Sequence, residues 1–121
     1  MKVKFQADND LRRAIVRGFL RCLPAADFTS QPLDAVDDVA VLHLAAQAGR
    51  IVVSHDVTTM PRAFTKYRRS AHSPGVLLTP QSWRLAEAIE HLVLVWEVTD
   101  ASEWQDRICY LPTFKDFHMP E

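Results

Sequence analysis

The stretch from Ile51 to Asp56, with the sequence IVVSHD, constrains the fold of this chain more than any other. Its apolar residues follow one another without alternation, a pattern typical of a strand that helices cover on both faces of a parallel α/β sheet. Ligands of such sheets bind where the carboxyl ends of the strands lie. Asp56, directly after this strand, is therefore expected at an edge of the sheet where sites form.

Two other acidic groups stand in comparable positions. A short apolar segment from Phe5 to Ala7 leads into Asp8 and Asp10, and the pair Asp37–Asp38 precedes a helical pattern. Carboxylates that meet at one edge raise one another's pKa unless a cation lies among them. Oxygen-only ligation of this kind suits Mg²⁺ or Mn²⁺. The alternatives are structural, because Asp10 can cap a following helix and acids at a helix start are favoured by the helix dipole.

Apolar spacing and turn residues predict alternating strands and helices, which favour a single α/β domain over residues 1–121 with a mostly parallel sheet and right-handed crossovers. The predicted strands are Val3–Ala7, Ala26–Thr29, Ile51–Ser54, Val76–Leu78 and Arg107–Leu111. The predicted helices are Leu11–Leu23, Asp37–Ala48, Met60–Arg69 and Leu85–Val98. Residues 30–36 are expected to form a loop and residues 112–121 a loose tail.

Composition narrows the class of protein. The net charge of −1 predicts no general attraction to nucleic acid, although a local basic patch can still contact phosphates. Two distant cysteines, Cys22 and Cys109, lack the spacing of a zinc site and fit small buried residues in a reducing cytoplasm. No apolar run approaches the ~20 residues that span a bilayer, and no signal region opens the chain. We therefore expect a cytoplasmic protein without a membrane partner.

Several residues near the acids have two interpretations. His55 precedes Asp56 on a strand, so the two side chains are expected on opposite faces and His55 is expected to be structural. Thr58 and Thr59 can donate hydrogen bonds to a carboxylate or a phosphate, but a role in capping the next helix is favoured. Four arginines form a basic face on the first helix, where they either remain solvated or contact phosphates: Arg12, Arg13, Arg17 and Arg21. Motifs for a hydrolase triad, a P-loop or a dinucleotide site are missing from the sequence.

With these residues in view, the chain resembles the small PIN-like proteins of the PIN domain superfamily. The similarity lies in the opening FQADNDL from Phe5, in DDVAVL from Asp37, and in AAQAGRIVVSHD from Ala45 to Asp56. Further similar segments begin at Thr59, Ser73 and Glu87, so that most of residues 2–111 are covered. Asn9 and the pair Val57–Thr58 depart from the pattern, because relatives often carry acids there.

The resemblance implies a three-layer α/β/α sandwich whose acidic pocket binds Mg²⁺ or Mn²⁺. It places Asp8, Asp38 and Asp56 on the metal-binding and catalytic acids and Asp10 as a fourth ligand. Better-known PIN domains cleave single-stranded RNA, and many are toxins of toxin–antitoxin pairs. The expectation is thus a metal-dependent ribonuclease with Arg12, Arg13 and Arg17 as weak nucleic-acid contacts. The partners left open are RNA, a small antitoxin-like protein and a second copy of the chain. The alternative is a non-catalytic PIN-like module that binds a partner protein.

Overall fold

Five parallel strands form the centre of the computed structural model, which describes residues 1–31 and 37–112. The strands are β1 (Phe5–Ala7), β2 (Phe28–Thr29), β3 (Ile51–Ser54), β4 (Val76–Leu78) and β5 (Ile108–Tyr110). The helices are α1 (Arg13–Cys22), α2 (Asp38–Gln47), α3 (Met60–Arg68) and α4 (Leu85–Val98), with a 3₁₀ turn at Ala101–Glu103. The predicted α/β class with a parallel sheet is confirmed.

Helices cover the sheet on both faces, which explains the continuous apolar strands. One buried cluster joins α1 and α4 to side chains such as Phe5 and Val53, and a second joins α2 and α3 to side chains such as Val52 and Leu78. Neighbouring residues of β3 thus enter opposite clusters, as the two-residue period of a strand requires. The arrangement is a three-layer α/β/α sandwich.

The sheet changes direction between β1 and β3. The strand order is β2-β1-β3-β4-β5, so the chain moves outward from β1 to β2 and then returns to place β3 on the other side of β1. Phe5 pairs with Ile51 and Ala7 with Val53, all in parallel register. The prediction that these two strands are parallel neighbours is confirmed. A crevice at the carboxyl ends of the strands at such a switch point is where open α/β sheets bind ligands.

The start of α1 differs from the prediction. The helix begins at Arg13 with Arg12 at its N-cap, and no side chain caps it. The prediction that Asp10 caps this helix is therefore wrong, because residues 8–11 form a turn in which the Leu11 N–H donates to the Asp8 carbonyl at 3.0 Å. Asp10 is left at the edge of the sheet. Residues 113–121 of the predicted tail and residues 32–36 of the predicted loop lie outside the described residues.

No helix in residues 1–31 and 37–112 combines the length and the apolar character needed to cross a membrane.

Candidate metal centre

An acidic pocket of about 200 Å³ opens at the carboxyl ends of β1 and β3. Its lining comes from the β1–α1 turn, the start of α2 and the turn after β3. The residues that line it are Asp8, Asn9, Asp10, Asp37, Asp38, Val41 and Asp56. The structure thus brings together all four carboxylates that were predicted to hold a metal.

Strand periodicity directs Asp8 into this pocket. Asp8 follows β1 on the same face as Gln6, and Ser54 ends β3 on the same face as Val52, so both point to the α2–α3 side of the sheet. The Ser54 hydroxyl donates to Asp8 Oδ2 at 2.7 Å, and the Asn9 N–H donates to Asp8 Oδ1 at 2.8 Å. Asp8 is buried, with 8% of its surface exposed. It is the most enclosed acid of the pocket.

Asp56 caps the helix that follows it. Its Oδ1 accepts the N–H groups of Thr58 and Thr59 at 2.9 and 2.8 Å, and its Oδ2 accepts the Thr59 hydroxyl. Partial burial works to raise the pKa of Asp56, but these hydrogen bonds favour the charged form and the net pKa lies below the ordinary value. Asp56 therefore ionises more readily than Asp8, the pocket acid whose pKa is raised.

Asp38 enters the pocket because α2 begins there. Asp37 takes the N-cap position and accepts the Ala40 N–H at 2.8 Å, so the helix N-terminus is satisfied by Asp37 and not by Asp38. Asp38 is then free of capping, and its Oδ2 lies 2.7 Å from the Thr59 hydroxyl. The predicted helix start at the Asp37–Asp38 pair is confirmed, and the two acids have different roles in it.

Burial makes Asp8 the unusual acid of the set. Removal from water raises the pKa of this carboxyl, the hydrogen bond from Ser54 opposes the rise, and the nearby charge of Asp10 adds to it. Asp10 itself is exposed and its Oδ1 lies 3.4 Å from the Ser54 hydroxyl oxygen. The protein thus holds a buried carboxylate close to a second one of the same charge.

Among the described residues, no lysine or arginine side chain balances these charges. Within residues 1–31 and 37–112, the ion pairs join other residues, and no Lys or Arg pairs with Asp8, Asp10, Asp38 or Asp56. Two hydroxyls lie between the carboxylates instead: Ser54 between Asp8 and Asp10, and Thr59 between Asp38 and Asp56. A hydroxyl has one proton, so it can donate fully to only one of the two carboxylates that it contacts. The pocket has more oxygen lone pairs than donors.

The carboxylates are gathered but not closed around one point. In the part of the chain that the structure describes, no three acidic, histidine or cysteine side chains are placed to hold a metal ion together. The four acids line one pocket and yet form no common metal-binding group, because Ser54 and Thr59 hold them as two separate pairs. A cation that used all four would have to draw the pairs together.

His55 belongs to the other side of the sheet, as predicted. It is buried, its Nε2 accepts the Arg12 N–H at 3.5 Å, and its Nδ1 lies 3.1 Å from the Thr79 carbonyl oxygen. The tautomer that satisfies both contacts carries its proton on Nδ1. His55 joins the start of α1 to the end of β4 and does not line the acidic pocket.

The predicted basic face on α1 divides in the structure. The Arg12 guanidinium donates to the Trp83 carbonyl at 2.9 Å, and its Nε is buried without a hydrogen-bond partner among the described residues. Arg13 is exposed at the first turn, where its Nη1 donates to the Ser30 carbonyl at 3.3 Å. Arg17 and Arg21 follow at four-residue spacing and are exposed. Arg12 thus fastens a loop, whereas the other three form one exposed stripe.

Sequence reasoning missed the Ser54 hydroxyl and ranked a contact between Thr59 and a carboxylate below a capping role. Thr59 stands at the N-cap of α3 but makes no capping hydrogen bond with its side chain, so the prediction that it caps the helix is wrong. Asp56 takes that role and releases the Thr59 hydroxyl to the pocket. Ser54 had a usable signal, because it is two residues before Asp56 on a strand and shares its face.

Comparison with known proteins gives no relative. No family model, no curated protein and no solved structure matches the chain.

Proposed function

We propose that this chain is a metal-dependent endoribonuclease that hydrolyses single-stranded RNA with Mg²⁺ or Mn²⁺ in the acidic pocket. The observation that carries the proposal is the gathering of Asp8, Asp10, Asp38 and Asp56 without a protein cation in the described residues. A divalent cation supplies the missing positive charge, and carboxylate oxygens are its preferred ligands. The resemblance to PIN-like proteins adds the ribonuclease class and the toxin–antitoxin context, and the composition adds the expectation of a cytoplasmic location.

The donor set fits such a cation. Asp56 remains ionised because backbone N–H groups hold its charge, and Asp38 projects from a helix whose N-cap is already satisfied. Asp8 is buried and its pKa is raised, so a positive charge that offsets its loss of hydration would favour the ionised form. These residues therefore hold the cation from three elements of the fold, with Asp10 at the open side.

The chemistry divides between the cation and the chain. When bound, a divalent cation lowers the pKa of a coordinated water and neutralises charge on the leaving oxygen of a phosphodiester. Asp8, Asp38 and Asp56 would fix the position of the cation, and the cation position would orient the scissile phosphate. Arg13 is the arginine best placed to contact a neighbouring phosphate, since it lies at the first turn of α1 beside the end of β2.

The test is cleavage of a fluorescent single-stranded RNA in a titration of Mg²⁺ and Mn²⁺. We expect activity that requires the cation, is lost with a chelator, and falls at least about a hundredfold in Asp8→Asn, Asp38→Asn and Asp56→Asn. Glu97→Gln, an exposed carboxylate on α4, is the matched control and should keep full activity. Full activity of the three pocket variants would contradict the proposal.

The alternative is a non-catalytic module that binds a partner protein. The observation in its favour is that the described carboxylates are held as two hydroxyl-bridged pairs and not as one closed ligand set. Absence of both cation binding and RNA cleavage in the titration would favour this alternative.

A further inference from the structure

Helices α1 and α4 lie side by side on one face of the sheet and carry opposite charges. They contribute to the same buried cluster and pack against each other, with Ile89 of α4 beside Gly18 of α1. The sequence of α1, RAIVRGFLRC, contains three arginines and no acid. The sequence of α4, LAEAIEHLVLVWEV, contains three glutamates and no lysine or arginine. One surface of the domain, the α1–α4 face, is therefore basic along one helix and acidic along the other.

Each charge set forms a stripe. Arg13, Arg17 and Arg21 are exposed and, at about 100° per residue, fall within an arc of about 80° on α1. The exposed stripe of α4 falls within an arc of about 100° and contains Glu87, Glu90, Leu94, Glu97 and Val98. Leu94 is 40% exposed and Val98 57% exposed, and the two are four residues apart on the same stripe. The acidic stripe thus has an apolar part.

The charges are not used within the described chain. In residues 1–31 and 37–112, none of the ion pairs includes Arg17, Arg21, Glu90 or Glu97. Glu87 differs, because its carboxylate accepts the Arg84 N–H at the start of α4. Two uncompensated cations on α1 therefore lie beside two uncompensated anions on α4.

A second copy of the chain has the complement of this face. α1 and α4 both connect parallel strands, so they run in the same direction, from the carboxyl edge of the sheet to its amino edge. A two-fold axis parallel to the helices places α1 of one copy opposite α4 of the other at the same height. The symmetry produces this contact two times in each dimer. A two-fold axis across the helices instead places α1 opposite α1 and brings arginines together. The charges select the first arrangement.

We propose that the α1–α4 face is a homodimer interface with its two-fold axis parallel to these helices. Arg17 and Arg21 of each copy face the acidic stripe of the other, and Leu94 and Val98 are removed from water between them. An isologous interface requires such self-complementarity. Two short helices cover less than the roughly 800 Å² per partner of a standard interface, so the dimer should dissociate on dilution and at high salt. This inference goes beyond the ribonuclease proposal and does not depend on it.

Sedimentation velocity on the full chain tests the interface with charge reversals. Arg17→Glu with Arg21→Glu makes the face mostly acidic, because only Arg13 stays basic on the α1 stripe. Glu90→Lys with Glu97→Lys makes it mostly basic, because only Glu87 stays acidic on the α4 stripe. We expect the wild type to dimerise with rising concentration at low salt, and each reversed variant to dimerise at least about tenfold more weakly. An equimolar mixture of the two variants should form a one-to-one heterodimer, because both helix contacts then join opposite charges.

Controls locate the effect. Arg62→Glu with Lys66→Glu reverses two exposed cations on α3, on the opposite face, and should dimerise as the wild type does. Leu94→Ser weakens the apolar part without a charge change and should lower the dimer fraction. A monomeric wild type at high concentration, dimeric reversed variants, a mixture that stays monomeric, or an α3 control that behaves like the α1 variant would each overturn the proposal.

Discussion

The hydroxyl oxygen of Thr59 lies 2.7 Å from Oδ2 of Asp38 and joins the start of α3 to the start of α2. The same hydroxyl contacts Oδ2 of Asp56. Two acids that are separated in the sequence are thereby held at a fixed spacing. We expect this hydroxyl to set how closely the two carboxylates approach a shared cation.

The first prediction concerns Thr59. Thr59→Val keeps the shape but removes the hydroxyl, so Asp56 loses a donor that lowers its pKa. Metal affinity should fall and its onset should move to higher pH, because protons compete better for Asp56. Thr59→Ser should restore both. Isothermal titration with Mn²⁺ across a pH series measures them, and Thr58→Val, an exposed neighbour, is the control. Equal pH profiles for Thr59→Val and Thr58→Val would contradict this role.

The second prediction concerns the two roles of Asp56. Asp56→Asn keeps an oxygen that can accept the N–H groups of Thr58 and Thr59, so the metal-free protein should remain nearly as stable as the wild type. Asp56→Ala removes this cap and should cost about 0.5–2 kcal/mol of unfolding free energy. Both should lose the stabilisation that excess Mn²⁺ gives the wild type. Thermal melts with and without Mn²⁺ measure this, and a retained metal shift in either variant excludes Asp56 as a ligand.

The third prediction concerns the pH dependence of stability at Asp8. Burial raises the pKa of the folded carboxyl above the ordinary 3.8, so ionisation of Asp8 works against folding. This penalty is absent below the unfolded pKa and fully present above the folded pKa. Asp8→Asn should therefore raise the melting temperature near neutral pH, without metal, more than it does near pH 3. A melting-temperature difference that is the same at both pH values would show that the effect is not electrostatic.

The fourth prediction concerns phosphate contact by Arg13. If Arg13 contacts one phosphate, Arg13→Gln should weaken RNA binding and reduce the slope of log affinity against log salt by about one. Arg69→Gln removes an equal exposed charge at the C-terminal end of α3, at the opposite edge of the sheet from the pocket, and should leave the slope unchanged. Fluorescence anisotropy with a pocket variant that cannot cleave measures both slopes. Equal slopes for the two variants would remove Arg13 from the RNA-binding surface.

Much of the fold could be predicted because its signals are local. β3, β4 and α4 were predicted with the bounds that the structure shows, since continuous apolar runs and helical apolar spacing depend only on neighbours in the chain. The parallel pairing of β1 with β3 also followed, because two apolar strands joined through helical crossovers favour it. Asp8, Asp38 and Asp56 then had to lie at one edge.

The hydrogen-bond partners at that edge could not be predicted. The sequence offered Asp10 as a cap for α1, but a turn after β1 moves the start of that helix to Arg13. It offered Thr59 as a cap for α3, but Asp56 accepts the backbone N–H groups there instead. Which of several nearby polar groups accepts a given N–H depends on differences of about 1 kcal/mol between alternatives. Tertiary packing decides such differences.

The amino-acid sequence by itself determined the α/β class, most element bounds and the meeting of the pocket acids. The reason is that apolar periodicity depends only on residues that are close together in the chain. Only the tertiary structure decided that Ser54 and Thr59 separate the carboxylates into pairs, that Arg12 binds the Trp83 carbonyl, and that α1 and α4 form one face. These contacts join residues far apart in the chain. Their geometry depends on how the layers pack, which no local pattern encodes.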